Sequence, residues 1–322
     1  MRILVVGTGA IGSVFGGMLA EAGHQVSLID KQQSLIAAIA QRGLEIDGVL
    51  GKHAARKVAA YTSAADVRRQ HFDLILIATK SYDTEQAIKE VLPLISPDTV
   101  IVSLQNGLGN LEVIADAVGS ARTLGASIMF GAVIKATGVV EVTANPESLK
   151  LGSPGAMPKE QVESIARVFN EAGITSEATP EIMKYIWGKL LLNCCLNPLS
   201  ALLECDYRET WESKEIRDIM SAIIREGFAV ARGKGITLQW QEPQEYEHLL
   251  FDVLIPNSFS HISSMLQDIR QGRRTEIDAI NGAVAKLGKE LGVDTPVNEL
   301  LAKLVKTKEK LRRKRAGIEA KS

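Results

Sequence analysis

The feature that most constrains this chain is Gly7-Thr8-Gly9-Ala10-Ile11-Gly12, set between the apolar run Ile3-Leu4-Val5-Val6 and a segment with helical spacing. That order reads as strand, tight turn and helix. The first glycine permits the turn, the second lets backbone amides approach a diphosphate, and the third lets the helix lie close to the strand. A diphosphate placed there meets the partly positive end of a helix. Glycine-rich turns also occur for steric reasons alone; the flanking strand and helix make this one a dinucleotide-binding expectation, with Gly7, Thr8, Gly9, Ala10, Ile11 and Gly12 holding the cofactor.

Short β-branched runs recur through the first half, at Ile3 to Val6, Val26 to Ile29, Leu74 to Ala78, Val100 to Leu104 and Thr123 to Ser127. Several are apolar throughout, as strands buried on both faces are. Helical patterns fall between them, clearest at Ile11 to Ala22 and at Thr84 to Leu92, with another over Lys159 to Ala172. From Pro180 the β signal disappears, and amphipathic segments run through 181–204, 211–234, 242–252, 259–271, 274–292 and 296–315. The expected fold class is α/β: an N-terminal Rossmann-type doubly wound parallel sheet over 1–178, followed by an all-α C-terminal domain over 179–322. A chain of 322 residues has length for two cores.

Lys and Arg number 37 against 38 Asp and Glu, a net charge of -1, so no overall field draws the chain to nucleic acid or to an anionic membrane. No apolar run is expected to reach the ~20 residues of a bilayer crossing, which points to a cytoplasmic protein handling a small molecule. Cys194, Cys195 and Cys205 lack the spacing of a zinc site or a disulfide framework and read as packing residues. His24, His53, His71 and His248 have no partner at metal or triad spacing, so no metal is expected. The basic run Lys303 to Arg315 reads as the solvated face of a terminal helix rather than an RNA contact. Helical second domains often pair with themselves, which makes a homodimer the assembly to look for.

In open α/β sheets ligands bind beyond the carboxyl ends of the strands, and Lys80 and Asn106 stand just there. The segment Tyr185 to Pro198 is a very apolar helix interrupted by Lys189, Asn193 and Asn197. Residues four apart are offset by only about 40°, so the three form one polar stripe. A solvent-exposed face would ordinarily carry several charges rather than one lysine and two amides. A partly desolvated lysine has a lowered pKa and can give a proton near neutral pH. That suits reduction of a ketone, in which negative charge develops on oxygen, with the two amides orienting the substrate. Ser264 and Glu276 would lie on different faces of one straight helix; a break near Gly272 would remove that separation. Asp268 and Arg270 read as members of ion pairs.

Together these blocks resemble the ketopantoate reductase family: the glycine turn, Thr79-Lys80, Gln105-Asn106-Gly107, Trp187-Gly188-Lys189-Leu190-Leu191-Leu192-Asn193-Cys194 with Asn197-Pro198, Ile262 to Arg270, and Thr275 to Gly282. The resemblance spans nearly the whole chain in the family's order. It implies reduction of 2-dehydropantoate to (R)-pantoate, with Lys189 as general acid and Glu276 contacting the reacting oxygen. It further implies that Lys80 and Asn106 hold cofactor or substrate, and that Asn193, Asn197 and Ser264 bind substrate. Two departures stand out. The second strand ends Leu28-Ile29-Asp30-Lys31, where the family commonly has an arginine at the Lys31 position and no acid before it. Asp30 would favour the ribose hydroxyls of NADH and Lys31 the phosphate of NADPH. The family pattern makes NADPH the expectation and NADH the alternative. His261 replaces an amide that touches substrate in some members, which leaves open a sibling enzyme reducing another branched 2-oxo acid with NADH. A non-catalytic dinucleotide sensor would have no use for Lys189 and Glu276.

Overall fold

A computed structural model describes residues 1–67, 70–144 and 147–315. Its chain divides into two compact units, one formed by Met1–Gln105 with Gly109–Ile182, the other by Asn106–Leu108 with Met183–Ser322. The last seven residues of the expected helical domain, 316–322, lie outside the described ones.

The first unit contains β1 (Arg2–Val6), β2 (Gln25–Ile29), β3 (Leu44–Gly48), β4 (His53–Ala55), β5 (Ala59–Tyr61), β6 (Leu74–Ile77), β7 (Val100–Ser103), β8 (Thr123–Ser127), β9 (Gly131–Ala136), β10 (Val139–Ala144), β11 (Leu149–Gly152) and β12 (Ser176–Ala178). Its helices are α1 (Ala10–Glu21), α2 (Gln33–Arg42), α3 (Thr84–Val91), α4 (Asn110–Val118) and α5 (Lys159–Glu171). The main sheet has the order β12-β11-β8-β7-β6-β1-β2-β5. It is parallel except where β11 runs antiparallel to β8. The five runs expected from sequence are its centre. Ile3, Leu4, Val5, Leu74, Ile75, Leu76, Ile101 and Val102 have no exposed surface, which is why those strands are apolar throughout.

A second sheet, order β4-β3-β10-β9, was not expected. Its strands are short and half-solvated: β3 buries Leu44 and Ile46 and exposes Glu45 and Asp47, while β10 buries Val140 and Val142. Those four apolar side chains join Val14, Phe15 and Met18 of α1 and Val5 and Leu28 of the main sheet in one cluster, so α1 is covered on both sides. That burial holds the helix whose first turn carries the last residues of the glycine motif, Ala10 to Gly12.

Among its described residues the second unit has helices and no strands: α6 (Ile182–Leu203), α7 (Tyr207–Glu212), α8 (Lys214–Gly233), α9 (Pro243–Leu249), α10 (Ser264–Arg270), α11 (Asn281–Leu291) and α12 (Pro296–Arg315). Three expected segments are shorter or divided. Ser213 interrupts 211–234, its hydroxyl accepting the Ile216 N–H at 3.3 Å as the cap of α8. The segments 259–271 and 274–292 keep only α10 and α11, separated by turns in which Gly272 has φ of 68°. The break that Ser264 and Glu276 required is present. The expectation that no apolar run approaches membrane length needs amending: α6 has 22 residues and is apolar enough to cross a bilayer by composition, though 67% of its most apolar window is buried inside the protein. Trp187, Leu190, Leu191, Cys194 and Cys195 of α6 form the centre of the helical core with Ile223, Phe228 and Tyr246.

Candidate active site

In the first unit, β1 ends at Val6, and the Gly7 N–H donates to the Ile29 carbonyl at 2.8 Å, so the turn starts against the end of β2. Gly12 is the tightest point: a Cβ there would lie 1.9 Å from the Gly7 carbonyl oxygen. A Cβ on Gly9 would meet nothing within 4 Å, so the middle of the turn is open on the side where a ligand approaches. The first α1 bond runs from the Ser13 N–H to the Gly9 carbonyl, and no acidic side chain stands in that first turn. The amides of residues 10–12 therefore precede the helical ladder at its positive end. Such a cradle fits a dinucleotide diphosphate.

Asp30, half-buried at the end of β2, spends both carboxylate oxygens on backbone. Oδ2 accepts the Thr8 N–H at 2.8 Å and Oδ1 the Gln32 N–H at 2.9 Å. Lys31 points outward, its side chain 68% exposed and 3.9 Å from Asp83. At that distance and exposure the pair is weak, leaving the ammonium available to an anion.

Lys80 follows β6 and is half-buried. The segment before it is held by Gln105, whose Nε2 donates to the Thr79 carbonyl at 3.0 Å and to Thr84 Oγ1 at 2.7 Å, while its Oε1 accepts from Ser103 Oγ at 3.1 Å. Thr84 Oγ1 in turn lies 2.8 Å from Asn110 Oδ1. The sequence alone assigns Gln105 no role. Its signal was an amide at a strand's carboxyl end, and only the β6–β7 pairing shows what it ties together.

In the second unit, Lys189 and Asn193 are half-buried on α6 and Asn197 is buried. Burial pushes the Lys189 ammonium down to about 8, opposed by the negative charge of Glu276. Glu276 is 7% exposed, in the turn between α10 and α11. One turn along α6, Asn193 Nδ2 is buried with no hydrogen-bond partner among the described residues. The Tyr246 hydroxyl donates to the Gly188 carbonyl at 2.8 Å, fixing the backbone beside the lysine.

Asn106 belongs to this unit through its neighbours. The Leu108 N–H donates to the Ala279 carbonyl at 2.9 Å. Gly107 has φ of 82°, and a Cβ there would sit 2.4 Å from that same oxygen, so only glycine lets residues 106–108 lie against the turn that carries Glu276. Lys189, Asn193, Glu276 and Asn106 thus belong to one assembly of α6, this turn and segment 106–108. Ser264 is the first residue of α10 and exposed, and its neighbour Ser263 caps the helix by accepting the Leu266 N–H at 3.0 Å.

Other expectations fall outside the site. Asp268 is in an ion pair, as expected, with Arg273 at 2.7 Å around the Gly272 turn. Cys194 and Cys195 are buried with their thiol pKa values pushed up by burial, and Cys205 is likewise free. His261 is half-buried with its ring centroid 5.1 Å from that of Tyr207, and burial lowers its pKa. On α12, Lys303, Lys306 and Lys308 pair with Glu299, Asp278 and Glu204 of the same unit.

Two family models match the chain: "Ketopantoate reductase PanE/ApbA" over residues 3–155 and "Ketopantoate reductase PanE/ApbA C terminal" over residues 181–309. The 2-dehydropantoate 2-reductase of Pyrococcus horikoshii is 38% identical, over 97% of this chain and 98% of its own. That of Aquifex aeolicus is 34% identical, over 96% and 97%. Among solved structures, a D-mandelate dehydrogenase with NADH and anilino(oxo)acetate superposes with a TM-score of 0.90 at 29% identity, covering 97% of this chain and 99% of that one. A PanE/ApbA family ketopantoate reductase from Ralstonia eutropha gives a TM-score of 0.87 at 28% identity, covering 97% and 100%.

Proposed function

Because the chain belongs to the ketopantoate reductase family, we infer that it is an oxidoreductase converting 2-dehydropantoate to (R)-pantoate, a step towards pantothenate and coenzyme A. The observation that carries the residue assignment is an ammonium on an apolar helix with its pKa lowered to about 8, facing the charge of one buried carboxylate. When bound, the nicotinamide dinucleotide supplies hydride to the carbonyl carbon. Lys189 stabilises the negative charge that appears on the substrate oxygen and then gives it a proton. Glu276 keeps Lys189 protonated, its negative charge opposing the effect of burial. The buried, unpaired Nδ2 of Asn193 is a donor for the substrate's oxygens; Asn197, Ser264 and Asn106 are further binding residues of the helical unit, and Lys80 is one of the first unit. Residues 7–12 hold the diphosphate. Replacing Lys189 with alanine is expected to lower turnover by about 10²–10⁴-fold while dinucleotide affinity stays within a few-fold. Turnover close to that of the parent would refute the assignment.

For the cofactor we propose NADPH, with Lys31 turning from Asp83 to the 2′-phosphate. Asp30 is already engaged by two backbone amides. The specific observation favouring NADH instead is its presence in the D-mandelate dehydrogenase neighbours, together with an acid at the end of β2. Rates with ketopantoate and with 2-oxoisocaproate, each with NADPH and NADH, decide both points. The proposal expects the highest kcat/KM for ketopantoate with NADPH, and a loss of that cofactor preference in Lys31→Ala. Preference for the other acid or for NADH would replace it. We further propose a cytoplasmic enzyme, with a homodimer to be tested by sedimentation.

A further inference from the structure

α6 contains Pro198 inside an otherwise continuous helix. Proline has no N–H, so the carbonyl four residues back, that of Cys194, loses the bond a helix would give it. Here that carbonyl is taken from outside: Asn281 Nδ2 donates to it at 3.0 Å. Asn281 is fully buried at the start of α11, five residues after Glu276, as Cys194 stands five residues after Lys189.

The direction of the Asn281 amide is set by a chain of partners. The Glu226 carboxylate on α8, which can only accept, takes the Val297 N–H at 2.9 Å, the Asn298 N–H at 3.0 Å and Asn298 Nδ2 at 2.7 Å. Asn298 Oδ1 is thereby turned to Asn281 Nδ2, 3.0 Å away. The Asn281 Oδ1 has no hydrogen-bond partner among the described residues. An apolar side chain would fill the site without leaving that buried oxygen unpaired, so packing alone does not account for an amide here.

We propose that Asn281 is a positioning residue for the proton donor: by gripping the carbonyl that Pro198 leaves open, it docks the 276–280 turn onto α6 and fixes Glu276 relative to Lys189. The coupling is short. The Ala279 N–H donates to the Glu276 carbonyl at 3.0 Å and the Gly282 N–H to the Ile277 carbonyl at 2.9 Å, so residues 276–282 move as one piece. Glu276 is the charged group that supports the Lys189 ammonium, whereas Glu226 on α8 and Glu247 on α9 act on Cys194 and Cys195.

The inference rests on Lys189 as the acid, and its test separates the two. In the full-length enzyme, the pH dependence of kcat/KM for ketopantoate and the thermal midpoint are measured for Asn281→Ala and for the double variant Pro198→Ala/Asn281→Ala. The single variant is expected to lower the midpoint and to move the alkaline limb of the profile down by about half a pH unit or more, as Glu276 drifts from Lys189. The double variant returns an N–H to the Cys194 carbonyl, so its midpoint recovers while the limb stays displaced. A limb that does not move in either variant, or that recovers together with the midpoint, overturns the proposal. Should Asn281→Ala alone fail to fold, the double variant carries the same two outcomes. Full turnover by Lys189→Ala would instead remove the reading on which the inference rests.

Discussion

Glu276→Gln removes a buried negative charge while keeping the side chain's shape. Lys189 is pushed down to about 8 by burial even with that carboxylate opposing the shift. Loss of a nearby opposite charge typically costs 1–3 pH units, and the lower figure would bring Lys189 to about 7. The general acid must be protonated, so activity falls as pH rises through this value. At pH 6 the protonated fraction changes by only about 1.1-fold, at pH 7.5 by about threefold, and at pH 9 by about ninefold. Any direct contact between Glu276 and the substrate adds a constant factor at every pH. The diagnostic is therefore the slope of the activity ratio with pH, read from kcat/KM across pH 6–9. A ratio flat across that range would refute the electrostatic role of Glu276, whatever its absolute size.

Lys189→Met should abolish turnover and stabilise the helical unit. Because the folded-state pKa lies below the ordinary 10.5, the parent is penalised in full below about pH 8 and not at all above about 10.5. Denaturant unfolding should thus show a gain of about 2–3 kcal/mol at pH 7 that fades by pH 10.5, the upper figure being the full shift and the lower allowing for partial exposure. Gly107→Ala, with φ of 82° and a Cβ 2.4 Å from the Ala279 oxygen, should cost about 1–3 kcal/mol and lower kcat/KM. A variant as stable and active as the parent would show that segment 106–108 does not hold the Glu276 turn.

What the sequence disclosed follows the range over which each signal acts. The five central strands are buried on both faces, so each is dominated by apolar and small residues without reference to its neighbours. The strands at 44–48 and 139–144 alternate over so few residues that local pattern does not separate them from loops; what makes them strands is each other and α1. Lys189 and Asn193 were legible because a lysine and an amide at helical spacing contradict the apolar helix that carries them. Glu276 was reached only through the family resemblance, since its meaning depends on a chain reversal at Gly272 that brings its charge to bear on a residue 87 positions earlier. The sequence alone gives Asn281 no role either. Its partner is a backbone carbonyl freed by a proline on another helix, and no side-chain pattern advertises a carbonyl.

The cost of this arrangement is concentrated in one place. The four buried side-chain polar atoms without hydrogen-bond partners among the described residues are Trp187 Nε1, Asn193 Nδ2, Glu247 Oε1 and Asn281 Oδ1, all in the helical unit. Glu247 still has Arg225 at 3.6 Å. The other three lie on α6 or on the residue docked to it. An unsatisfied buried polar atom costs about 1–3 kcal/mol, and the desolvated Lys189 adds a comparable penalty. A helix selected for stability alone would carry none of these, and strand β6, Leu74-Ile75-Leu76-Ile77, shows what this chain builds where only folding matters. The penalties at Lys189 and Asn193 are those a substrate would relieve, because an oxygen that accepts from both groups satisfies the orphaned donor and favours the charged ammonium. Binding energy is then largest where folding energy was given up, which is how a site is kept ready for a charge that appears only as the ketone is reduced.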